Sequence, residues 1–335
     1  MVSKRARLPV IALLLLSVSG LSGCYYLQAA RGQLEIVRKR EPITEILADP
    51  ATPPDLRRRL ELVRDAREYA AEALALPDNG SYRTYADLGR EYVVWSVFAA
   101  KEFSVEPRRW CFPVAGCVAY RGYFDRADAE AEAAALAADG YDTYVSGVAA
   151  YSTLGRLRDP VLNTMMGWSE LRLVQTLFHE LAHQRLYVPD DTEFNESFAT
   201  VVGREGVRRW LQAREAGPAL DELARRTEWQ TAWREAVMAL RERLAVLYAS
   251  GLSAPDMRRE KQRLFAELAA SPAAPPNPPS NNAELIPAIA YHGLVPQLLG
   301  LLDACGGALP CFYERAEALA TIPPEERRQR LADYL

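Results

Sequence analysis

Two histidines and a glutamate with helical spacing are the residues of this chain best suited to chemistry. They stand in His179-Glu180-Leu181-Ala182-His183, inside a stretch with a helical pattern. On a helix, positions i and i+4 share one face, so both imidazoles can bind one ion while Glu180 lies beside them. Neutral imidazoles bind zinc at about 2.0–2.1 Å, and a neighbouring carboxylate can take a proton from water. The chain has only three histidines, so the spacing predicts a hydrolytic zinc site; a structural or vestigial site is the alternative.

A third protein ligand must follow this motif, because catalytic zinc generally takes three and leaves one position for water. The extended H-E-x-x-H-x-x-G-x-x-H pattern needs Gly at position 186 and His at position 189, where the chain has Leu186 and Pro189. The metzincin pattern is therefore excluded. The remaining candidates are two carboxylates on a helix predicted to start near Asn195, Glu196 and its competitor Glu205.

The composition is that of an ordinary globular protein. The 335 residues are 49% hydrophobic and 25% charged, with a net charge of −4. This is enough chain for a substantial core and for one or two domains. Because there is no basic excess, the sequence gives no reason to expect a nucleic-acid partner.

The first residues have the composition of a secretory signal. Lys4, Arg5 and Arg7 precede an apolar run over residues 10–16, which is too short for a comfortable membrane span. The segment ends in Leu21-Ser22-Gly23-Cys24, which resembles the lipobox of bacterial lipoproteins. Residues 1–23 are therefore predicted to be a lipoprotein signal peptide, with Cys24 as the site of lipid attachment; an ordinary signal peptide is the alternative.

The lipobox implies a lipid anchor in the bacterial cell envelope, with the mature chain on the periplasmic face and the membrane as a partner. In lipoproteins of double-membrane bacteria, an Asp after the cysteine favours retention in the inner membrane. This chain has Tyr25 at that position. The outer membrane is therefore the favoured location.

Four further cysteines form two C-x5-C pairs, Cys111 with Cys117 and Cys305 with Cys311. An even number of cysteines behind a secretion signal indicates disulfides and allows three connectivities. The two local loops are the favoured arrangement. A four-cysteine metal site fits less well, because structural zinc sites prefer two to four residues between paired cysteines.

The elements that position the motif are predicted to be mostly helical. Residues 25–76 have an apolar helical pattern interrupted by prolines, which predicts two helices packed as a hairpin. A long amphipathic helix follows Gly217-Pro218, ends at Ser250-Gly251 and returns as a partner helix over residues 255–270. A Pro-rich linker then leads to a final helical part.

A small β-region is predicted directly ahead of the motif helix, which should run from about Ser169 to Leu186. Residues 92–98, 114–124 and 141–151 are rich in aromatic and β-branched residues, which favours strands. Asp125 can cap a helix over residues 127–138. The stretch 110–117 contains Pro and Gly and suits a bent edge or a disulfide-pinned loop.

These patterns predict an α+β fold that is predominantly α-helical. After the signal peptide, the predicted units are an N-terminal helical segment over residues 24–90 and a catalytic region with the helical hairpin over residues 91–272. Residues 273–335 form the linker and a C-terminal helical segment, which should pack on the catalytic region.

The segment around the third candidate ligand has a recognisable form. Asn195-Glu196-Ser197-Phe198-Ala199 resembles the N-E-x-x-[SA] element of gluzincins, in which the Glu is the third zinc ligand. Two features depart from that pattern. The gap from His183 to Glu196 is shorter than in thermolysin-like enzymes, and Thr200 replaces the Asp that follows their ligand Glu. Another group must then orient the histidine imidazole.

Nearly all of the mature chain is similar to a bacterial lipoprotein family of predicted zinc aminopeptidases. The segments that carry this resemblance are Cys24-Tyr25-Tyr26 with Gln28, residues 110–120, Asp159-Pro160, residues 175–183, residues 194–199, Asn281-Asn282-Ala283 and Tyr291-His292-Gly293. The resemblance implies a gluzincin-like fold and one Zn2+ held by His179, His183 and Glu196, with Glu180 as general base. An oxyanion donor is expected as well; Tyr291 is the candidate and His292 the runner-up.

The predicted function is that of a zinc-dependent peptidase acting on a peptide substrate, with an aminopeptidase preferred. By analogy with zincins, the strand around residues 145–151 is expected to pair with an extended peptide. An aminopeptidase also needs an acid for the substrate's α-ammonium group, and the candidates are Asp190, Asp191, Glu193 and Glu205. A zinc endopeptidase is one alternative. Another is a non-catalytic envelope lipoprotein that uses a peptidase fold for binding or structure, although the intact Glu180 argues against it.

Overall fold

The computed structural model describes residues 25–112, 116–290 and 293–335. Over these residues the chain is α+β and mostly helical, which confirms the predicted class. None of the helices in the described ranges is long and apolar enough to cross a membrane. The helices are α1 (25–38), α2 (Ile43–Ala48), α3 (Pro54–Glu72), α4 (Arg126–Ala138), α5 (Glu170–Arg185), α6 (Thr192–Ala213), α7 (Gly217–Tyr248), α8 (Ala254–Ala269), α9 (Asn282–Ala290), α10 (Val295–Asp303), α11 (Leu309–Ala320) and α12 (Pro324–Ala332).

The segment before residue 90 has three helices instead of the two predicted, and also two short strands. Strand β1 (Arg40–Pro42) pairs antiparallel with β2 (Thr84–Ala86), which pairs parallel with β8 (Val161–Leu162). This sheet was not predicted from the sequence. Strands of two or three residues show no usable alternation, and Pro42 disfavours a strand on propensity. Their pairing depends on partners distant in sequence.

A second sheet lies directly ahead of the motif helix, as predicted. Its order is β6 (Arg121–Tyr123), β3 (Val94–Lys101) and β7 (Tyr141–Val148), and β3 pairs antiparallel with both neighbours. Helix α4 packs against β3 and β7. Its N-cap is Asp125, whose side chain accepts a hydrogen bond from Ala127 N at 2.8 Å. Strand β7 stands at one edge of this sheet.

Both favoured disulfides are present. Strands β4 (Trp110–Phe112) and β5 (Gly116–Val118) form a two-stranded ribbon in which Cys111 lies opposite Cys117, and the two are bonded. The predicted strand over residues 114–124 is therefore divided between β5 and β6. Cys305 and Cys311 are bonded between the end of α10 and the first turn of α11.

The motif helix α5 and the following helix α6 are consecutive and pack along each other at the centre of the main hydrophobic core. Ser169 caps α5, and the bounds agree with prediction. Helix α6 starts at Thr192, three residues before the predicted start, because the Asp191 side chain accepts a hydrogen bond from Phe194 N and acts as N-cap. Thr192 and Glu193, which precede the predicted start, therefore belong to the first turn of the helix.

The C-terminal part of the chain packs back onto this pair of helices. Helices α7 and α8 form the predicted hairpin, with a separate apolar core between them. Helix α10 contacts α6, and Leu294 N donates a hydrogen bond to Ser197 Oγ at 3.1 Å. From α12, the buried Arg327 makes an ion pair with the buried Asp191, at the N-terminus of α6.

Candidate metal centre

Helices α5 and α6 bring His179, His183 and Glu196 together, and these three form a group able to hold a metal ion. The two Nε2 atoms are 3.1 Å apart. Glu196 Oε2 lies 3.3 Å from His179 Nε2 and 3.6 Å from His183 Nε2. All three side chains are at most 14% exposed. The sequence-based preference for Glu196 therefore selects the carboxylate that meets the two imidazoles.

These distances fit a tetrahedral divalent cation. Ligand atoms at about 2.0–2.1 Å from zinc in tetrahedral geometry lie roughly 3.3–3.4 Å from one another. The three observed separations fall around that spacing. In addition, Glu196 Oε2 is buried and has no hydrogen-bond partner among the described residues. Two imidazole nitrogens and one carboxylate oxygen are a donor set that zinc accepts.

Helices α5 and α6 are joined by a short connection, and their close packing brings Glu196 to the histidines in spite of it. The Asn195 amide closes the loop, because its Oδ1 accepts from Val188 N and its Nδ2 donates to Val188 O, both at 2.7 Å. Gly203 lets α6 approach α5: a Cβ there would lie 2.9 Å from Gln175 O and 3.3 Å from His179 Cβ. Glu196 thus reaches the histidines although the gap is shorter than in thermolysin-like enzymes.

Glu180 lines the same cavity as the three candidate ligands. Burial raises the pKa of Glu180 above its ordinary value, and the two neighbouring imidazoles oppose this only in part. Burial acts in the same direction on Glu196, but there the imidazoles of His183 and His179 outweigh it and lower the pKa. Two carboxylates at one site thus have pKa values shifted in opposite directions, as expected for one proton acceptor and one permanently charged ligand.

The competitor Glu205 has a different environment. Its carboxylate accepts hydrogen bonds from Arg208 Nε at 2.7 Å and from Arg209 Nε at 2.6 Å. It does not belong to the metal-binding group. The structure therefore explains Glu205 as an ion-paired residue of α6.

The acids considered for an α-ammonium group are engaged elsewhere. Asp190 Oδ1 accepts from Cys117 N at 2.6 Å, Asp191 is paired with Arg327, and Glu193 accepts from Arg328 at 3.3 Å. Neither these three nor Glu205 lines the cavity. Among the described lining residues, the carboxylates are Glu180 and Glu196.

The cavity has a volume of about 320 Å³ and contains residues that the sequence did not single out. Tyr120 and Tyr187 both line it, and burial raises the pKa of each phenol, so the hydroxyls stay protonated and able to donate. Tyr187 lies just beyond the end of α5, where the chain is already extended, so helical spacing does not predict its place. Nothing local marked Tyr120 either.

A buried carboxylate organises one rim of the cavity. Asp159, which is 2% exposed, accepts hydrogen bonds from Thr153 N at 2.9 Å and Thr153 Oγ1 at 2.6 Å. It also accepts from Ser152 Oγ at 3.1 Å and Gly155 N at 3.3 Å. Ser152 and Leu154 of this loop line the cavity. In the sequence, Asp159-Pro160 stood out as one of the segments that carry the family resemblance.

Three of the predicted site residues lie outside the described part of the chain: the candidate oxyanion donors Tyr291 and His292, and the lipid-attachment candidate Cys24. Among the described residues, His183 Nδ1 has no hydrogen-bond partner, so the group predicted to orient this imidazole is not found there.

Fold and site together define a candidate hydrolytic metal centre: two imidazoles and a carboxylate that converge, with a second carboxylate beside them in a cavity. The chain belongs to the family described as "Putative aminopeptidase", whose model matches residues 24–331. Neither a curated protein nor a solved structure matches the chain significantly.

Proposed function

We propose that the protein is a gluzincin-like zinc peptidase, and specifically an aminopeptidase. The observation that carries this proposal is the convergence of His179 Nε2, His183 Nε2 and Glu196 Oε2 at separations of 3.1 to 3.6 Å, with Glu180 in the adjoining cavity. The family description supports the activity. His179, His183 and Glu196 would hold one Zn2+.

In this proposal Glu180 is the general base and acid. Bound zinc supplies Lewis-acid polarisation of the scissile carbonyl and activation of a water molecule. Glu180 takes the proton of the attacking water and passes it to the leaving amine. Its raised pKa brings it closer to neutrality than an ordinary glutamate, which suits a group that must both accept and return a proton.

The described residues also offer an oxyanion donor and a backbone partner for the substrate. We propose that Tyr187 or Tyr120 donates to the developing oxyanion, beside the earlier candidate Tyr291. Strand β7 stands at the edge of its sheet and Val148, its last residue, lines the cavity, which supports pairing with an extended peptide. A structure with a slowly cleaved peptide would reveal these main-chain hydrogen bonds, or their absence.

The metal ligands are tested by a matched pair of variants on one helix. Glu196→Gln is expected to lower zinc content from about one ion per chain to near zero, because the amide supplies no negative charge. Glu205→Gln, which removes a carboxylate from the same helix, should keep full zinc content. Metal analysis of the purified proteins measures both. Absence of zinc from the unmodified protein would favour the non-catalytic hypothesis.

Exopeptidase and endopeptidase action are separated by digesting a peptide library with free and N-acetylated members. An aminopeptidase should release N-terminal residues from the free peptides only, and chelator treatment should abolish the cleavage. The described cavity lining offers no third carboxylate that would bind an α-ammonium group. The result with the N-acetylated peptides therefore decides between the two activities. Cleavage of blocked peptides at internal bonds would instead identify an endopeptidase.

We further propose that Cys24 carries a lipid that holds the chain at the periplasmic face of the bacterial envelope, in the outer membrane. The family match begins at this residue. Incorporation of a labelled fatty acid that is lost in Cys24→Ser is the corresponding measurement. Unchanged labelling in that variant would refute the assignment.

A further inference from the structure

The cavity beside the candidate metal centre is lined largely by apolar side chains. Seven of its lining side chains are large and apolar, and they come from the sheet, the ribbon and the segments that follow them: Val94, Phe98, Phe112, Val118, Phe124, Val148 and Leu154. The volume of about 320 Å³ lies at the lower end of the range of roughly 300–1,000 Å³ for ligand pockets. It offers room for a side chain with its adjoining backbone.

Charge is confined to one end of this cavity. Among the described lining residues, the ionisable groups other than tyrosines are His179, Glu180, His183 and Glu196, all at the candidate metal centre. The remaining polar lining side chains are hydroxyls. A lysine, arginine or glutamate side chain entering the apolar end would be buried without a counter-charge, which is strongly unfavourable.

Helix α1 contributes to the wall of the cavity and is held in place by its contacts. Tyr25 and Ala29 of α1 line the cavity. The helix is held in place because Phe124 N donates to Gln28 Oε1 at 2.9 Å, and the Phe124 ring packs so closely on Gly32 that a Cβ there would overlap it. The Tyr25 ring stacks on Phe112 at 5.8 Å. The packing of α1 against Phe112 and Phe124 therefore fixes the size of the cavity.

We infer that this cavity is a specificity pocket that selects peptides with a large apolar or aromatic side chain next to the scissile bond. The inference rests on the proposed peptidase function, because it places the reacting bond at His179, Glu180, His183 and Glu196. Side chains that fill the pocket gain apolar burial, small ones leave part of it unfilled, and charged ones are excluded. One methylene in such a pocket is worth about 10–200-fold in kcat/KM.

The test measures kcat/KM for two peptides that differ only in having Phe or Ala next to the cleaved bond. The unmodified protein should prefer the Phe peptide by at least about tenfold. Ala29→Phe, which fills the pocket from α1, should reduce this ratio to near one while cleavage of the Ala peptide continues. Ala30→Phe is the matched control, since Ala30 is exposed on the same helix and does not line the cavity. It should keep the full preference.

A second blocking variant keeps the test informative if Ala29→Phe fails to fold. Ala150 is half-buried and lines the cavity from the segment after β7, so Ala150→Phe should produce the same loss of preference from a different wall. An unmodified protein without preference for Phe, or an unchanged ratio in both folded blocking variants, overturns the inference.

A binding measurement separates failure of the pocket from failure of the proposed function. Calorimetry with phenylalaninamide and alaninamide needs no turnover. Phenylalaninamide should bind more tightly than alaninamide, and Ala29→Phe should remove this difference. That result supports the pocket even if no peptide is cleaved. Absence of cleavage would then refute only the peptidase proposal. Equal binding of the two amides would overturn the pocket.

Discussion

Glu180→Gln is expected to lower kcat/KM for peptide hydrolysis by about 10²–10⁴-fold, the usual contribution of a positioned general acid–base group. The substitution keeps the size and shape of the side chain but removes its ability to accept a proton. Zinc content should stay at about one ion per chain, because Glu180 does not belong to the metal-binding group. Steady-state kinetics and metal analysis on the same preparation measure both effects.

The control for this variant is Glu170→Gln. Glu170 lies in the first turn of the same helix and pairs with Arg58 at the surface, so its replacement should leave hydrolysis and zinc content unchanged. Full activity in Glu180→Gln would mean that another residue is the base. Loss of zinc from that variant would instead show that Glu180 contributes to metal binding.

Arg327→Met is expected to destabilise the protein by about 3–5 kcal/mol, the largest effect on stability that we anticipate. Arg327 is 1% exposed and Asp191 is 3% exposed. The guanidinium pairs with Asp191 and donates to the carbonyl oxygens of Leu319, Ala320 and Ile322. Methionine fills the space but leaves a buried carboxylate without its cation. Denaturant unfolding measures the loss.

Two further variants show that the buried pair is responsible. Arg330→Met removes an exposed arginine of the same helix, whose partner is Glu326, and should cost no more than about 0.5 kcal/mol. Adding Asp191→Asn to Arg327→Met should recover much of the loss, because asparagine still caps α6 but carries no charge. A double variant as unstable as the single one would show that the lost carbonyl contacts dominate.

The sequence was most informative where local pattern decides structure. The spacing of His179 and His183 placed both on one helix face, and the capping residues Ser169 and Asp125 marked helix starts that the structure confirms. The even number and the spacing of the cysteines correctly favoured two local disulfides. In each case the partners lie within one turn or one short loop.

What the sequence missed depends on partners far apart in the chain. Helix α6 was predicted to start three residues too late, since the capping by Asp191 and its pairing with Arg327, 136 residues later, are not marked locally. The short strands β1, β2 and β8 exist because they pair with one another. Tyr120 reaches the cavity from a segment between two strands, and such convergence follows from the tertiary fold alone.

The contact between Asp191 and Arg327 also joins two distant parts of the chain. Helix α6 presents Glu196 from its second turn, and the aspartate that caps this helix is paired with an arginine of α12, 136 residues later. The placement of the Glu196 carboxylate therefore depends on the docking of α12 as well as on the histidine motif. Local loosening of α12 is expected to reach the candidate metal centre through the first turn of α6.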